Sequence, residues 1–303
     1  MKTNKYLLAT LLGLMALTQS CFRLDSNLFS PDNEITEYLH DDYPKTDEWD
    51  LVLDASYDIP DSLVHDFTLE SQADGETAST TIAVTYLGDI SRIATDTVIL
   101  YCHGNYAHMD VYWQRAKGLA NLGGKNRFGL LMMDYRGFGL SEGTASEEGM
   151  YADVQACINW LKSMGLTDDR YIMYGFSLGS APATQLTAHP VGLTPSKLIL
   201  EAPFASAEMM AQEGTGLAVP GSFFTNLKID NAEEIKLVQQ PFLHIHGIDD
   251  HFLSFENHGM SVWNNYHGVY GEQAAIPGAG HSTIVKTMGI EAYSERVLGF
   301  VLR

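Results

Sequence analysis

Residues 171–186 commit the chain to an abrupt change of backbone direction. Tyr171, Ile172, Met173 and Tyr174 form an apolar run of strand length. Gly175-Phe176-Ser177-Leu178-Gly179 follows, a G-x-S-x-G pattern. Ala181, Ala183, Thr184 and Leu186 then continue in a stretch that reads as helix. A strand that becomes a helix around a serine is the context that gives this pattern meaning. So tight a turn strains the serine backbone and leaves no room for side chains at Gly175 and Gly179. It lifts the Ser177 hydroxyl above the sheet edge, at a helix N-terminus where unpaired N–H groups favour developing negative charge. Ser177 is therefore the expected nucleophile. The plainer alternative is a serine that only caps the helix.

The rest of the chain reads as strands alternating with helices. Phe67–Glu70 and Thr80–Tyr86 alternate in polarity around Asp74-Gly75, which predicts an antiparallel edge hairpin. Thr97–Tyr101, Phe128–Met133, Lys197–Leu200 and Pro241–His246 are short apolar runs, as strands buried on both faces require. Gln273–Ile276 is a weaker last strand. Helices are expected over Met109–Leu122, Ser146–Met164 and Ile284–Leu302. In the second of these, Met150, Val154, Cys157, Ile158 and Leu161 recur at helical spacing. The alternation predicts a mostly parallel sheet covered by helices on both faces. Phe204–Gln240 interrupts it with Met209, Met210, Leu217, Phe223 and Phe224, and is expected to form a small helical cap over the site.

The N-terminus reads differently. Lys2 and Lys5 precede a 13-residue, mostly apolar run, Tyr6 to Thr18, too short to span a bilayer but suited to a signal peptide. Thr18-Gln19-Ser20-Cys21 then resembles a bacterial lipoprotein signal, although Thr18 stands where leucine is common. That resemblance implies removal of residues 1–20, a lipid on Cys21, and export to a membrane-anchored position in the periplasm or at the cell surface; cleavage to a soluble secreted form and an uncleaved anchor are the alternatives. Residues 22–50 hold nine acids against Arg23 and Lys45, and residues 21–50 are expected to act as a lipid attachment point and acidic tether to a domain over 51–303. The formal net charge of −20 argues against nucleic acid or an anionic membrane surface as the main partner, because both need clustered cations. Cys102 and Cys157 read as small buried hydrophobes or as a disulfide; sequence alone does not bring them together.

A serine hydroxyl needs a base, and an imidazole with an ordinary pKa of about 6.5 suits the task. His281, in Gly278-Ala-Gly-His-Ser282, follows the last strand and precedes the last helix. It should lie at the carboxyl edge of the sheet, where Ser177 emerges. The imidazole in turn needs a carboxylate, and His246-Gly-Ile-Asp249-Asp250 offers two that composition cannot separate. The acid not used there is expected to cap the following helix. A metal reading of His244, His246, Asp249, Asp250 and His251 is set aside because they form no open ligand set. Oxyanion donors are expected from the backbone N–H of Leu178 and, after the Thr97–Tyr101 strand, from that of Asn105. His103 reads as a buried anchor for that loop. Tyr106, Phe176 and Phe204 are candidate walls of an acyl pocket.

Four segments together resemble the α/β-hydrolase superfamily of serine hydrolases. They are His103-Gly-Asn105, Asp134-Tyr-Arg-Gly-Phe-Gly139 with Ser141 and Gly143, Gly175-Phe-Ser-Leu-Gly179, and His246-Gly-Ile-Asp-Asp250 with Gly280-His281. Asp134–Gly139 and Glu201-Ala-Pro-Phe-Ala205 further resemble the branch containing the depalmitoylating acyl-protein thioesterases. The resemblance spans roughly residues 80–303 and places the acid at Asp250, with Ser254 standing where that family usually has proline. It implies cleavage of carboxylic esters or thioesters by Ser177, His281 and Asp250, with no metal and no organic cofactor. The competing expectation is an inactive hydrolase scaffold serving as a binding lipoprotein.

Overall fold

The computed structural model describes residues 25, 28–44, 51–215 and 220–303. The expected signal segment, Cys21 and Leu217 lie outside the described residues. The strands in chain order are β1 (Ser30–Pro31), β2 (Val64–Ser71), β3 (Thr80–Leu87), β4 (Val98–Cys102) and β5 (Tyr106–Ala107). They continue with β6 (Gly129–Met133), β7 (Tyr171–Phe176), β8 (Lys197–Glu201), β9 (Phe242–Gly247) and β10 (Gly271–Ile276). Eight of them form one sheet in the order β10-β9-β8-β7-β4-β6-β3-β2. Within it β3 alone runs against its neighbours. The other pairings are parallel. This is the mostly parallel sheet with an antiparallel edge hairpin that the pattern predicts.

Every residue of β4, β6 and β7 is buried, which explains their unbroken apolar runs. Successive side chains feed opposite cores. Val98, Leu100 and Cys102 face one apolar cluster, and Ile99 and Tyr101 face the other. The first cluster is covered by α2 (Glu147–Ser163) and α3 (Ser180–Ala188), the second by α1 (Trp113–Ala120) and α8 (Ile290–Val301). Ser146 caps α2, its hydroxyl accepting the Gly149 N–H at 3.1 Å. Cys102 and Cys157 are both fully buried free thiols, not a disulfide.

Three expectations change, and the cap takes a definite form. The helix expected over 109–122 begins as a 3-10 turn, Met109–Tyr112, before α1. The closing helix is two, α7 (Ile284–Met288) and α8, divided at Gly289 with φ +80° and ψ 142°. A residue with a side chain resists that conformation, so helical periodicity alone hides the break. The cap forms as α4 (Ala207–Thr215), a 3-10 turn at Gly221–Phe223 and α5 (Asn231–Glu234). Phe204 does not line the cleft at Ser177; it is 1% exposed and packed in the core beneath α3.

The expected tether is the largest correction. Residues 28–44 do not trail from the domain but lie along it. Phe29 and Tyr38 pack against the two apolar clusters. Ser30–Pro31 pairs in parallel with Tyr106–Ala107. Asp41 bonds the buried ammonium of Lys117, which also reaches Asp58. Acidic composition resembles a solvated linker, but here several of the acids and aromatics have partners on the body of the domain.

Gly289→Ala places a Cβ in the left-handed half of backbone space. Its cost is expected to be about 1–3 kcal/mol. Equilibrium urea unfolding, compared with wild type, measures it.

Candidate active site

The turn after β7 is shaped by contacts that exclude side chains. A Cβ on Gly179 would lie 2.0 Å from the Cys102 carbonyl oxygen, and one on Gly175 would lie 2.5 Å from the Gly179 oxygen. The chain between these glycines takes Ser177 to φ +51°, the left-handed region where a serine is strained. Its hydroxyl accordingly projects from the carboxyl edge of the sheet, where Ser177 is 6% exposed.

His281 reaches that hydroxyl from the loop between β10 and α7. Its Nε2 lies 2.8 Å from Ser177 Oγ, and its Nδ1 lies 2.8 Å from Asp250 Oδ2. Gly280 N–H donates to the Thr283 hydroxyl at 2.9 Å, closing the histidine loop. The Phe176 and Phe252 rings flank the imidazole with centroids 5.5 and 5.1 Å away.

The structure separates the two acids. Asp250 is 2% exposed, while Asp249 points to solvent. Asp250 Oδ1 accepts the N–H groups of Phe252 and Leu253 at 2.9 and 2.8 Å. Burial by itself would raise the Asp250 pKa. The imidazoles of His246 and His281 and the Leu253 amide outweigh it and hold the carboxyl well below the ordinary carboxylate range. Asp249 does not cap the following helical segment as expected. Ser254 does, accepting the Asn257 N–H at 3.3 Å, which accounts for serine at that position.

His246, read from sequence only as a weak metal candidate, has a plain role. Its Nε2 lies 2.8 Å from the Leu253 carbonyl and 3.4 Å from Asp250 Oδ2, so it props the acid loop. His244 lies deeper in β9, its Nδ1 3.2 Å from the Gln273 amide. His103 is the anchor expected of it. It is fully buried, its Nδ1 lies 2.7 Å from the Gly104 carbonyl, and its Nε2 lies 3.1 Å from Asp134 Oδ1.

A cleft of about 220 Å³ opens over Ser177 and His281. Tyr106, Tyr112, Phe176 and Phe252 form its aromatic walls, and Ser30 and Asn105 its polar ones. Tyr106 and Phe176 thus stand where expected, but among the described residues no part of the cap lines the cleft. Neither the Asn105 nor the Leu178 N–H meets a hydrogen-bond acceptor among the described residues.

Three contributors escape sequence reading: Ser30, Phe252 and Arg115. Arg115 sits on α1 beneath the site. It donates to Glu201 at 2.6 Å and to the Ser282 carbonyl at 2.9 Å, and its guanidinium lies 4.4 Å above the Phe176 ring. Tyr293 donates to the second Glu201 oxygen at 3.0 Å. One buried ion pair therefore braces both the histidine loop and the residue before the nucleophile. A basic residue in a helix with an acid 86 positions away leaves no local pattern that could have revealed it.

Two consequences follow from these contacts. Because the Asp250 pKa is depressed on folding, its stabilising contribution is complete above about pH 4 and is lost as pH falls further. The stability gap between wild type and Asp250→Asn is expected to narrow from pH 4 to pH 2 in urea-unfolding curves. Arg115→Met leaves Glu201 buried without its cation. The expected destabilisation is about 3–5 kcal/mol, read by the same method.

Comparison with known proteins agrees with the topology. The family described as the alpha/beta hydrolase fold matches residues 97–233. The chain is 31% identical over 204 residues to alpha/beta hydrolase domain-containing protein aho-3 of Caenorhabditis elegans, covering 67% of this chain and 57% of that protein. It is 28% identical over 204 residues to alpha/beta hydrolase domain-containing protein 17B of Homo sapiens, covering 67% and 65%. The matches therefore span less than two thirds of these relatives. Among solved structures, the Pyrococcus furiosus esterase Pf2001 superposes with a TM-score of 0.65 at 15% identity, over 91% of this chain and 97% of that one. The Exiguobacterium antarcticum esterase gives 0.57 at 18% identity, over 78% and 100%. The architecture is the α/β-hydrolase fold, and the proteins this chain resembles lie within the α/β-hydrolase superfamily.

Proposed function

We propose that the protein is a serine hydrolase that cleaves carboxylic esters or thioesters through an acyl-enzyme. The observation that carries this reading is the unbroken relay from Asp250 through His281 to Ser177, with both links at 2.8 Å. The ionised Asp250 fixes the imidazole with its proton on Nδ1, so Nε2 faces the hydroxyl as an acceptor. Ser177 Oγ adds to the acyl carbon while its proton passes to His281 Nε2. The carbonyl electron pair becomes an oxyanion, which the Leu178 and Asn105 N–H groups would meet. His281 then returns the proton to the departing alcohol or thiol, and water repeats the sequence to release the acid. None of these steps requires a metal or organic cofactor.

Aromatic walls suit an acyl chain, and two of the structural neighbours carry the name esterase. The cleft is smaller than the roughly 300–1,000 Å³ of typical small-molecule sites, so it would enclose only the first carbons of an acyl group. The lipid on Cys21 and the membrane location that it implies belong to the same proposal, resting on the Thr18–Cys21 pattern.

Ser177→Ala is expected to lower turnover of p-nitrophenyl acetate by roughly 10⁴-fold or more while the melting temperature stays near wild type. Wild type, but not the variant, should react with a fluorophosphonate probe. A variant that keeps wild-type turnover would remove Ser177 as nucleophile. A wild-type protein inert to both ester and probe would instead indicate a binding scaffold.

A further inference from the structure

We propose that residues 28–44 are a strap that holds the oxyanion loop, residues 103–110, in its working conformation, and that Tyr38 and the Ser30 amide are positioning residues for catalysis. This rests on the hydrolase reading above.

The loop needs outside support. Ala107 has φ +54°, a conformation that costs a residue with a side chain about 1–3 kcal/mol. From within the domain the loop is held by the Tyr106 N–H, which donates to Tyr112 Oη at 3.0 Å, and by the Tyr135 hydroxyl, which donates to the His103 carbonyl at 2.9 Å. The strap holds the opposite side at each step. Ser30 N–H donates to Asn105 Oδ1 at 2.9 Å. Asp32 N–H reaches the Ala107 carbonyl at 3.3 Å, beside the β1–β5 pairing. The Leu39 and His40 N–H groups donate to the two oxygens of Asp110, each at 2.8 Å. The Tyr38 hydroxyl donates to Asp134 Oδ2 at 2.6 Å, and the other Asp134 oxygen lies against His103. The same phenol accepts the Leu140 N–H at 3.2 Å, and Gly139 N–H donates to the Asp32 carbonyl at 2.9 Å.

These contacts converge on residues 103–110 and on the Asp134–Leu140 turn that supports them. Asn105 is gripped by its side chain while its backbone N–H meets no acceptor among the described residues, and Ser30 lines the cleft beside Ser177. When Ser177 Oγ bonds to the acyl carbon and its proton moves to His281, the negative charge appears on the carbonyl oxygen. A donor set slightly out of place costs rate there without costing substrate binding.

The test uses the full chain and two small changes. Tyr38→Phe removes the hydroxyl at Asp134, and Ser30→Pro removes the N–H at Asn105. Each is expected to lower kcat for p-nitrophenyl acetate by about 10- to 100-fold with KM within about twofold. Affinity for a trifluoromethyl ketone, which forms an anionic adduct on the serine, should weaken by the same factor as kcat/KM. A change in folding alone would not move these two together. Glu37→Gln, at an exposed position of the same segment, should retain kcat. Wild-type kcat in both variants overturns the proposal, as does a loss of kcat that the ketone affinity does not follow. If one variant fails to melt cooperatively, the other carries the same two readouts. Wild-type Ser177 that resists the fluorophosphonate overturns the hydrolase reading beneath it, whereas labelled, active wild type with unaffected variants overturns the strap alone.

Discussion

Gly179 lies so near the carbonyl end of β4 that no other residue fits, and much of the site is arranged around that contact. The contact draws the start of α3 tightly against the neighbouring strand. With Gly175 equally crowded, the chain between them has one way to turn, and Ser177 takes the strain. The strain is affordable because β7 is buried along its whole length and locked between β4 and β8. A strained residue persists only where its surroundings over-determine it. Here a sheet interior does so, and the reward is a hydroxyl aimed out of the core.

Two buried carboxylates lie close to this rim with different partners. Asp250 is satisfied by backbone amides and imidazoles, so its negative charge stays available to a proton acceptor. Glu201 is satisfied by a guanidinium and phenols, which consume its charge in bracing the walls. A carboxylate next to an arginine is a poor partner for an imidazolium. The chain keeps the two tasks on different strands, Glu201 at the end of β8 and Asp250 just past the end of β9.

Local signals carried much of this organisation. The buried strands are unbroken apolar runs, and the glycines of the elbow are demanded by sterics, so both leave marks in the sequence. The relay was legible because its three members follow the ends of β7, β9 and β10 in an expected order. What stayed hidden depends on contacts between distant positions. Asp249 and Asp250 differ by which way one loop turns, not by chemistry. Gly289 interrupts a pattern whose apolar spacing continues across it. Residues 28–44 look like a solvated acidic linker because the partners that satisfy them lie some 70 to 100 positions away. Phe204 was apolar and near the site in sequence, but its side chain points into the core.

That same separation bears on how the molecule is made. Pairings of high sequence separation form late, because the intervening chain must first be ordered. Residues 28–44 leave the ribosome before anything they bind, and Asp134 is synthesised 96 residues after Tyr38. The parallel sheet can therefore assemble while its N-terminal segment is still unattached. In refolding kinetics, burial of Trp160 and Trp263 in the body should precede attachment of residues 28–44, with a nearly folded species between them.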